Sequence, residues 1–396
     1  LSLKEKNNQY SVSQERFFSS RISAKKNKEK TVWHIPFQYE SNNKVLGGLL
    51  TKTSSPLIGK SIGKVNKGEQ SVVRVRYDKE SLTRLKDKIE VGKLSVHDRL
   101  GIIRDLFALA EGGYISGGIA LEFSLSYKNE TEYIVWSEIA SGIDRIYNII
   151  ANEKFVGLYK KFALELFNPI TKKIGWNKIK GEDHSHTFLR SLSLSYAGFY
   201  GNKDVILEAQ KRFKNRSKNP IEADIRSVTY SIVAHNGGIK EWKEFQKLHL
   251  NTEMHEEKER YVRALALFKD KELLKKTLAY ALSVNVRNQD APHLITAVWR
   301  NSYGKDIAWS FVKNNWKVIL KRFGEGGHFL SRLIPPLGNH IKAKDALDAK
   351  KFFKKNLAPG AERTLEQAYE RIYSNSAWLA SDKVNIKKWL EKNYGK

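Results

Sequence analysis

TEYIVWSEIASGIDRIYNII (131–150) and EKFVGLYKKFALELFNPI (153–170) follow one another almost without a break. In both, apolar residues recur at the spacing of one helix face, and the second run is expected to stop near Pro169. Two amphipathic helices in direct succession, with no strand between them, set the pattern for the rest of the chain. Upstream, Leu82, Leu85 and Ile89 make one such stripe. Leu100, Ile103, Phe107 and Ala110 make the next, closed by Gly112 and Gly113. Downstream, Asp204, Asp270, Asp290 and Ser381 are expected N-caps, with breaks at Gly201, Gly237–Gly238 and Gly304. About a dozen or more short helices in a row predict a mostly α fold, a solenoid of stacked helix pairs of HEAT or armadillo type. Its period is loose, roughly in the thirties to forties, and its stacked pairs predict a concave surface.

The first eighty residues read differently. In VWHIPFQY (32–39), Trp33, Ile35, Phe37 and Tyr39 alternate with His34, Pro36 and Gln38, the period of a strand. Pro36, which has no N–H to give, suggests an edge position. SVVRVRYD (71–78) alternates likewise, with Val73, Val75 and Tyr77 opposite Arg74 and Arg76. With VSQERFF and GGLLTKTSS these segments predict a small β-sandwich. The expected domains are therefore a β-sandwich over 1–82 and a helical solenoid over 83–396.

The 396 residues are 41% hydrophobic, as a folded globular chain should be. Seventy Lys and Arg against 43 Asp and Glu give a net charge of +27, a field that suits nucleic acid, an anionic surface, carboxylate-bearing ligands or solubility alone. Zero cysteines exclude disulfides, thiolate zinc sites and a cysteine nucleophile. No apolar run is long enough to span a membrane, and no membrane partner is expected. The start at Leu1 lacks an apolar signal core and suggests a chain processed or cut from something longer. MHEEKERY (254–261) brushes against the zinc-peptidase pattern HExxH, but the position four after His255 is Glu259, so the metal pair is not formed. His184 and His186, two apart in DHSHT, would splay on a helix start and suggest a loop or cap. KRFKNRSK (211–218), the densest basic run, reads as a solvated helix tail.

A set of segments in register then resembles a known family. SVSQERFF, VRVRYD, LSVHDRLGIIRDLFALAEGGYIS, NETEYIVWSEIA, FALELFNPITKKIGW, HTFLRSLSLSYAGFYGN, ADIRSVTYSIVAHNGG, LSVNVRNQDA, IAWSFVKNNW and PGAERTLEQAYERI resemble the zinc aminopeptidases of the puromycin-sensitive and tricorn-interacting type. The resemblance implies that this chain is the family's third domain, a β-sandwich, and its fourth, a helical cap. The catalytic second domain, with its GAMEN strand, HExxH, downstream glutamate ligand and tyrosine, has no counterpart here, so the chain alone should be inactive. No catalytic residue and no metal ligand are expected in it, and zinc is expected in the missing catalytic domain. The implied partners are the catalytic N-terminal half and peptide substrates, and the implied compartment is the cytoplasm. In the family the cap holds the far end of the peptide, a task that suits the planar fork of Arg on a carboxylate. Arg332 in HFLSRLI is the foremost candidate. Arg287 in VRNQD and Arg363 in PGAER are further candidates, with Asp290 and Glu362 placed to hold them in ion pairs instead. Trp299, Trp309 and Trp316 match core positions. The alternative is a catalytically empty scaffold of the same architecture that binds a protein or nucleic-acid partner through a basic concave surface.

Overall fold

A computed structural model describes residues 1–7, 9–26, 29–59, 61–323 and 328–395. It is mostly helical, with a small sheet region at the N-terminal end. In order come β1 (Ser2–Lys6), β2 (Gln9–Ser13), the short α1 (Arg21–Lys26), β3 (Ile35–Ser41), β4 (Lys44–Leu50), β5 (Ser54–Leu57) and β6 (Ile62–Val65). They form two antiparallel sheets of three strands, ordered β1-β2-β5 and β4-β3-β6. The alternation in 32–39 is observed as expected from Phe37 and Tyr39, which are buried. The edge position is not: β3 is the central strand of its sheet. Pro36 is tolerated because β6 pairs only with Tyr39 and Ser41, so no ladder bond on that side needs its missing N–H. SVVRVRYD has the expected faces, with Val75 and Tyr77 buried, but forms only an isolated bridge from Arg76 to Ser2. A helix carboxylate replaces the neighbouring strand: buried Asp105 accepts from the Val75 N–H at 2.9 Å and from Arg74 Nη1 at 3.0 Å.

Helices follow without interruption from α2 (Lys79–Glu90), capped by the Asp78 carboxylate on the Ser81 N–H. α3 (Val96–Glu111) ends at Gly112, and Gly113 turns the chain with φ of 76°. Next are α4 (Gly117–Ser124), α5 (Tyr133–Ile150), α6 (Val156–Ile174) and α7 (His184–Tyr200). α6 does not stop at Pro169 but runs through it to Ile174. The chain leaves the helix at Gly175, whose φ of 64° a side chain would resist.

The molecule divides into two compact units. The first comprises Leu1–Lys173, Asp183–Leu189 and Ala380–Lys396; the second comprises Ile174–Glu182 and Arg190–Leu379. The second unit contains α8 (Lys203–Asn215), α9 (Ala223–Asn236), α10 (Ile239–Asn251), α11 (His255–Leu265), α12 (Lys271–Ala281), α13 (Ala291–Arg300), α14 (Lys305–Asn314), α15 (Trp316–Phe323), α16 (His328–Leu333) and α17 (Ala343–Lys355). The last helix, α18 (Glu362–Tyr394), starts in this unit.

Alternate helices of this unit lie side by side, giving two layers. In one, Phe213 of α8 meets Phe245 of α10 at 4.8 Å. Trp242 of α10 donates to Thr277 of α12 at 2.8 Å, and α12 packs on α14. Trp309 of α14 then donates to Asp348 of α17 at 2.7 Å. In the other layer, Tyr230 of α9 meets Tyr261 of α11 at 5.1 Å, α11 packs on α13, and α13 packs on α16. The tryptophans fill the core as expected: Trp299 is fully buried and stacks on Trp309 at 5.7 Å, while Trp316 meets Phe353 at 5.3 Å.

Two expected caps change place. Asn202, not Asp204, caps α8, because its side-chain Oδ1 accepts from the Val205 N–H at 3.0 Å. Ser381 lies inside α18. Asp270 caps α12 as expected.

Candidate functional site

The three candidate arginines all fall in the second unit. Arg332 stands on α16, where Leu330 and Leu333, with Ile334 just after it, are buried and Arg332 is exposed. The apolar residues fasten this short helix to the core and leave the guanidinium outside, with no hydrogen bond or ion pair to a described residue. A cation held on a helix without a partner among the described residues is the form a carboxylate receptor takes.

Arg287 is differently engaged. It immediately precedes α13, and its carbonyl accepts from the Asp290 and Ala291 N–H groups. Its Nε donates to Asp290 Oδ2 at 2.7 Å, which raises the already high pKa of the guanidinium. Its Nη2 lies 2.7 Å from His255 Nδ1. Arg322 pins the loop that carries Arg287, donating to the carbonyls of Leu282 at 2.6 Å and Val286 at 3.0 Å and to Asn288 Oδ1 at 2.7 Å. Because α13 packs on α16, Arg287 and Arg332 sit on neighbouring elements. Arg363 is exposed in the first turn of α18. The Glu362 pairing does not form: Glu362 Oε1 instead accepts from the Gly360 N–H at 3.2 Å, and adjacent helix residues face different ways.

His255 and Glu256 are exposed at the start of α11, as the failed zinc motif implies. His255 Nε2 lies 3.4 Å from Glu259 Oε1. A guanidinium beside this imidazole opposes a metal cation, and among the described residues no three of His, Cys, Asp and Glu converge. Among the described residues none forms a set that fits zinc. His184 and His186 open α7 behind Asp183, whose carboxylate accepts from the Ser185 N–H at 2.7 Å, and the His184 ring meets Phe188 edge-on at 5.0 Å. In the basic run, Arg212 donates to Glu208 and Asn177 and lies over Trp176 at 5.0 Å, and Arg216 is paired with Glu244. Its lysines are exposed.

Sequence reasoning missed the most highly connected group of α11. Glu257 is buried, with Oε1 accepting from Arg226 at 2.6 Å and from Arg260, and Oε2 accepting from the Tyr230 hydroxyl at 3.3 Å. Burial pushes its carboxyl up, but the two guanidiniums outweigh burial and hold it below the usual range. Only the burial of Tyr261 at i+4 could have signalled that this helix turns Glu257 inward. Similarly, Trp299 Nε1 donates to His340 Nε2 at 3.1 Å, so that nitrogen carries no proton and the buried ring turns Nδ1 toward Asp345.

The family model for the ERAP1-like C-terminal domain matches residues 63–374. Aminopeptidase M1-A of Oryza sativa subsp. japonica is 30% identical over 332 residues, which are 81% of this chain and 37% of that protein. Alanine/arginine aminopeptidase of Saccharomyces cerevisiae is 26% identical over 404 residues, 99% of this chain and 47% of the relative. Aminopeptidase A of Gloydius brevicauda is 28% identical over 378 residues, 91% and 39% respectively. The chain spans less than half the length of these relatives. With the stacked helices of the second unit lying inside the matched range, the chain belongs to the ERAP1-like C-terminal domain family, whose members here are aminopeptidase sequences.

Proposed function

We propose that this chain is the non-catalytic C-terminal portion of a zinc aminopeptidase, and that its helices bind the distal end of peptides whose N-terminus is cleaved elsewhere in the enzyme. The observation that carries the reading is the family match over 63–374 in a chain that spans under half of its aminopeptidase relatives. The sequence has no HExxH and among the described residues none forms a set that fits zinc, so in this reading zinc and the groups that activate water lie in a part of the enzyme outside this chain. When bound there, the ion supplies Lewis-acid activation of water.

This chain's contribution is positional. A peptide carboxylate that leaves water must find charged donors to offset its lost hydration. Arg332 is free to supply a two-pronged contact, and its helix is anchored by Leu330 and Leu333. Arg287, just before the helix that packs on α16, has one nitrogen committed to Asp290, and Arg363 is a further exposed cation at the head of α18.

In the complete enzyme, Arg332→Ala should raise KM for peptides with a free C-terminal carboxylate about tenfold, the loss of one charge-assisted contact. Its kcat should stay within about twofold, and C-terminally amidated peptides should respond little. Equal loss on free and amidated peptides would remove Arg332 from this role.

A further inference from the structure

Three helices of one layer carry the same surface pattern. On α8, Lys203, Leu207, Lys211 and Lys214 are all exposed and stand at steps of three or four residues, hence on one face. On α10, Lys240, Lys243, Lys247 and Leu250 repeat the arrangement. On α17, Lys344, Leu347, Lys351 and Lys354 repeat it again. The leucines are far from buried: Leu207 is 63% exposed, Leu250 49% and Leu347 62%. Behind each stripe an inward face holds the helix in the core, through Phe213 on α8, Phe245 on α10 and Phe353 on α17.

The stripes belong to one layer, because α8, α10, α12, α14 and α17 pack in that order. On every helix of this layer, and on α15, basic residues outnumber acidic ones. In the opposite layer α11 carries a single lysine, Lys258, and α9, α13 and α16 carry none, although α13 and α16 each carry an arginine without a carboxylate. A host-wide lysine bias would load both layers alike, so the asymmetry belongs to the surface.

We propose that this lysine layer lies against the headgroups of an anionic membrane. Lysine stems can lie along apolar surface while their ammonium groups meet lipid phosphates, and an exposed aliphatic in each stripe can enter the acyl boundary. Each lysine near such a surface strengthens binding about fivefold. Nucleic acid would use the charges but has no place for three solvent-facing leucines, and no exposed aromatic ring lies in the stripes to stack on bases. The contact is peripheral, since among the described residues no helix is long and apolar enough to cross a membrane. The expectation of no membrane partner rested on the lack of a spanning segment and does not bear on a face of this kind.

The test is cosedimentation of the complete protein, at about 0.1 M salt, with phosphatidylcholine vesicles with and without phosphatidylserine, alongside binding to duplex DNA. Binding should require phosphatidylserine. The triple variant Lys211→Glu, Lys243→Glu, Lys351→Glu should weaken it about a hundredfold or more. The triple variant Leu207→Ser, Leu250→Ser, Leu347→Ser should weaken it at least tenfold while keeping the melting temperature, since none of the three is in the core. Arg263→Glu with Arg300→Glu, exposed on the opposite layer, should leave it unchanged. No binding to phosphatidylserine vesicles, or an unaffected leucine variant, overturns the proposal, and DNA binding without vesicle binding overturns it in favour of a phosphodiester backbone. The readout involves no peptide hydrolysis, so it stands or falls apart from the role of Arg332.

Discussion

Glu257 shows how one residue links two neighbouring helices of a layer, α9 and α11. Its carboxylate joins Arg226 of α9 to Arg260 of its own helix and takes the Tyr230 hydroxyl as well. Removing its charge leaves two guanidiniums without their counter-ion next to buried rings, a loss of about 3 kcal/mol. Glu257→Gln should therefore lower the urea midpoint markedly at pH 7. The sign of the pH dependence follows from the lowered carboxyl. A group whose folded pKa lies below its unfolded one contributes fully above the unfolded value, about 4.3, and loses its contribution as pH falls through the folded value. The gap between wild type and Glu257→Gln should be widest at neutral pH and close below about pH 4. A gap that persists unchanged in acid would mean that packing, not charge, accounts for it. Within MHEEKERY only Tyr261, one turn on, sets Glu257 apart from Glu256 and Glu259, because inward and outward carboxylates are written with the same letter. Two of the partners that hold it, Arg226 and Tyr230, come from some thirty residues upstream.

Helices and strands were far more legible than this, because their evidence is local. In the two expected stripes Leu85, Ile89, Ile103, Phe107 and Ala110 are buried as their spacing requires, while Leu82 and Leu100, which begin them, are half-buried. Errors arose where a distant group overrides a local signal. Pro169 should end α6, yet the helix continues to Ile174 because Phe167 and Ile170 on either side are buried and hold it. The Ser381 region resembles a cap, and capping does occur there, but for another helix: Asp382 accepts from the Ser116 hydroxyl at 2.9 Å and the Gly117 N–H at 2.6 Å, at the start of α4. The arginine candidates divide the same way, for Asp290 at i+3 captures Arg287 as its spacing allowed, while the freedom of Arg332 depends on neighbours the sequence does not reveal. Two glycines test element packing directly. A Cβ on Gly142 of α5 would come within 2.1 Å of the Phe107 ring of α3, whereas one on Gly157 of α6 meets nothing within 4 Å. Gly142→Ala should destabilise by about 1–3 kcal/mol through overpacking. Gly157→Ala should be neutral or stabilise by up to about 1 kcal/mol, since it only restricts the unfolded chain. Thermal melts of the two variants decide it, and similar shifts would show that α5 can move away from α3 at little cost.

At the scale of the whole molecule the governing quantity is the charge of +27. Many surface pairs, such as Lys275 with Glu272 and Arg263 with Glu259, are exposed and contribute little each. Against them stands like-charge repulsion along the lysine layer, where neighbouring helices lie about 8–10 Å apart. At 0.01 M salt the screening length is about 30 Å, so lysines on several successive helices repel one another; at 0.1 M it is about 10 Å and reaches only the next helix. Salt thus weakens both the attractions and the repulsions, and the excess of positive charge makes the repulsions the larger sum. The melting temperature should rise by a few degrees between those two concentrations, the opposite of what a protein held by surface ion pairs would do. The triple variant Lys211→Glu, Lys243→Glu, Lys351→Glu replaces three repulsive positions in that layer with attractive ones, so its salt dependence should be visibly shallower. A melting temperature that falls with salt, or a variant as salt-responsive as the wild type, would place the repulsion elsewhere than on α8, α10 and α17.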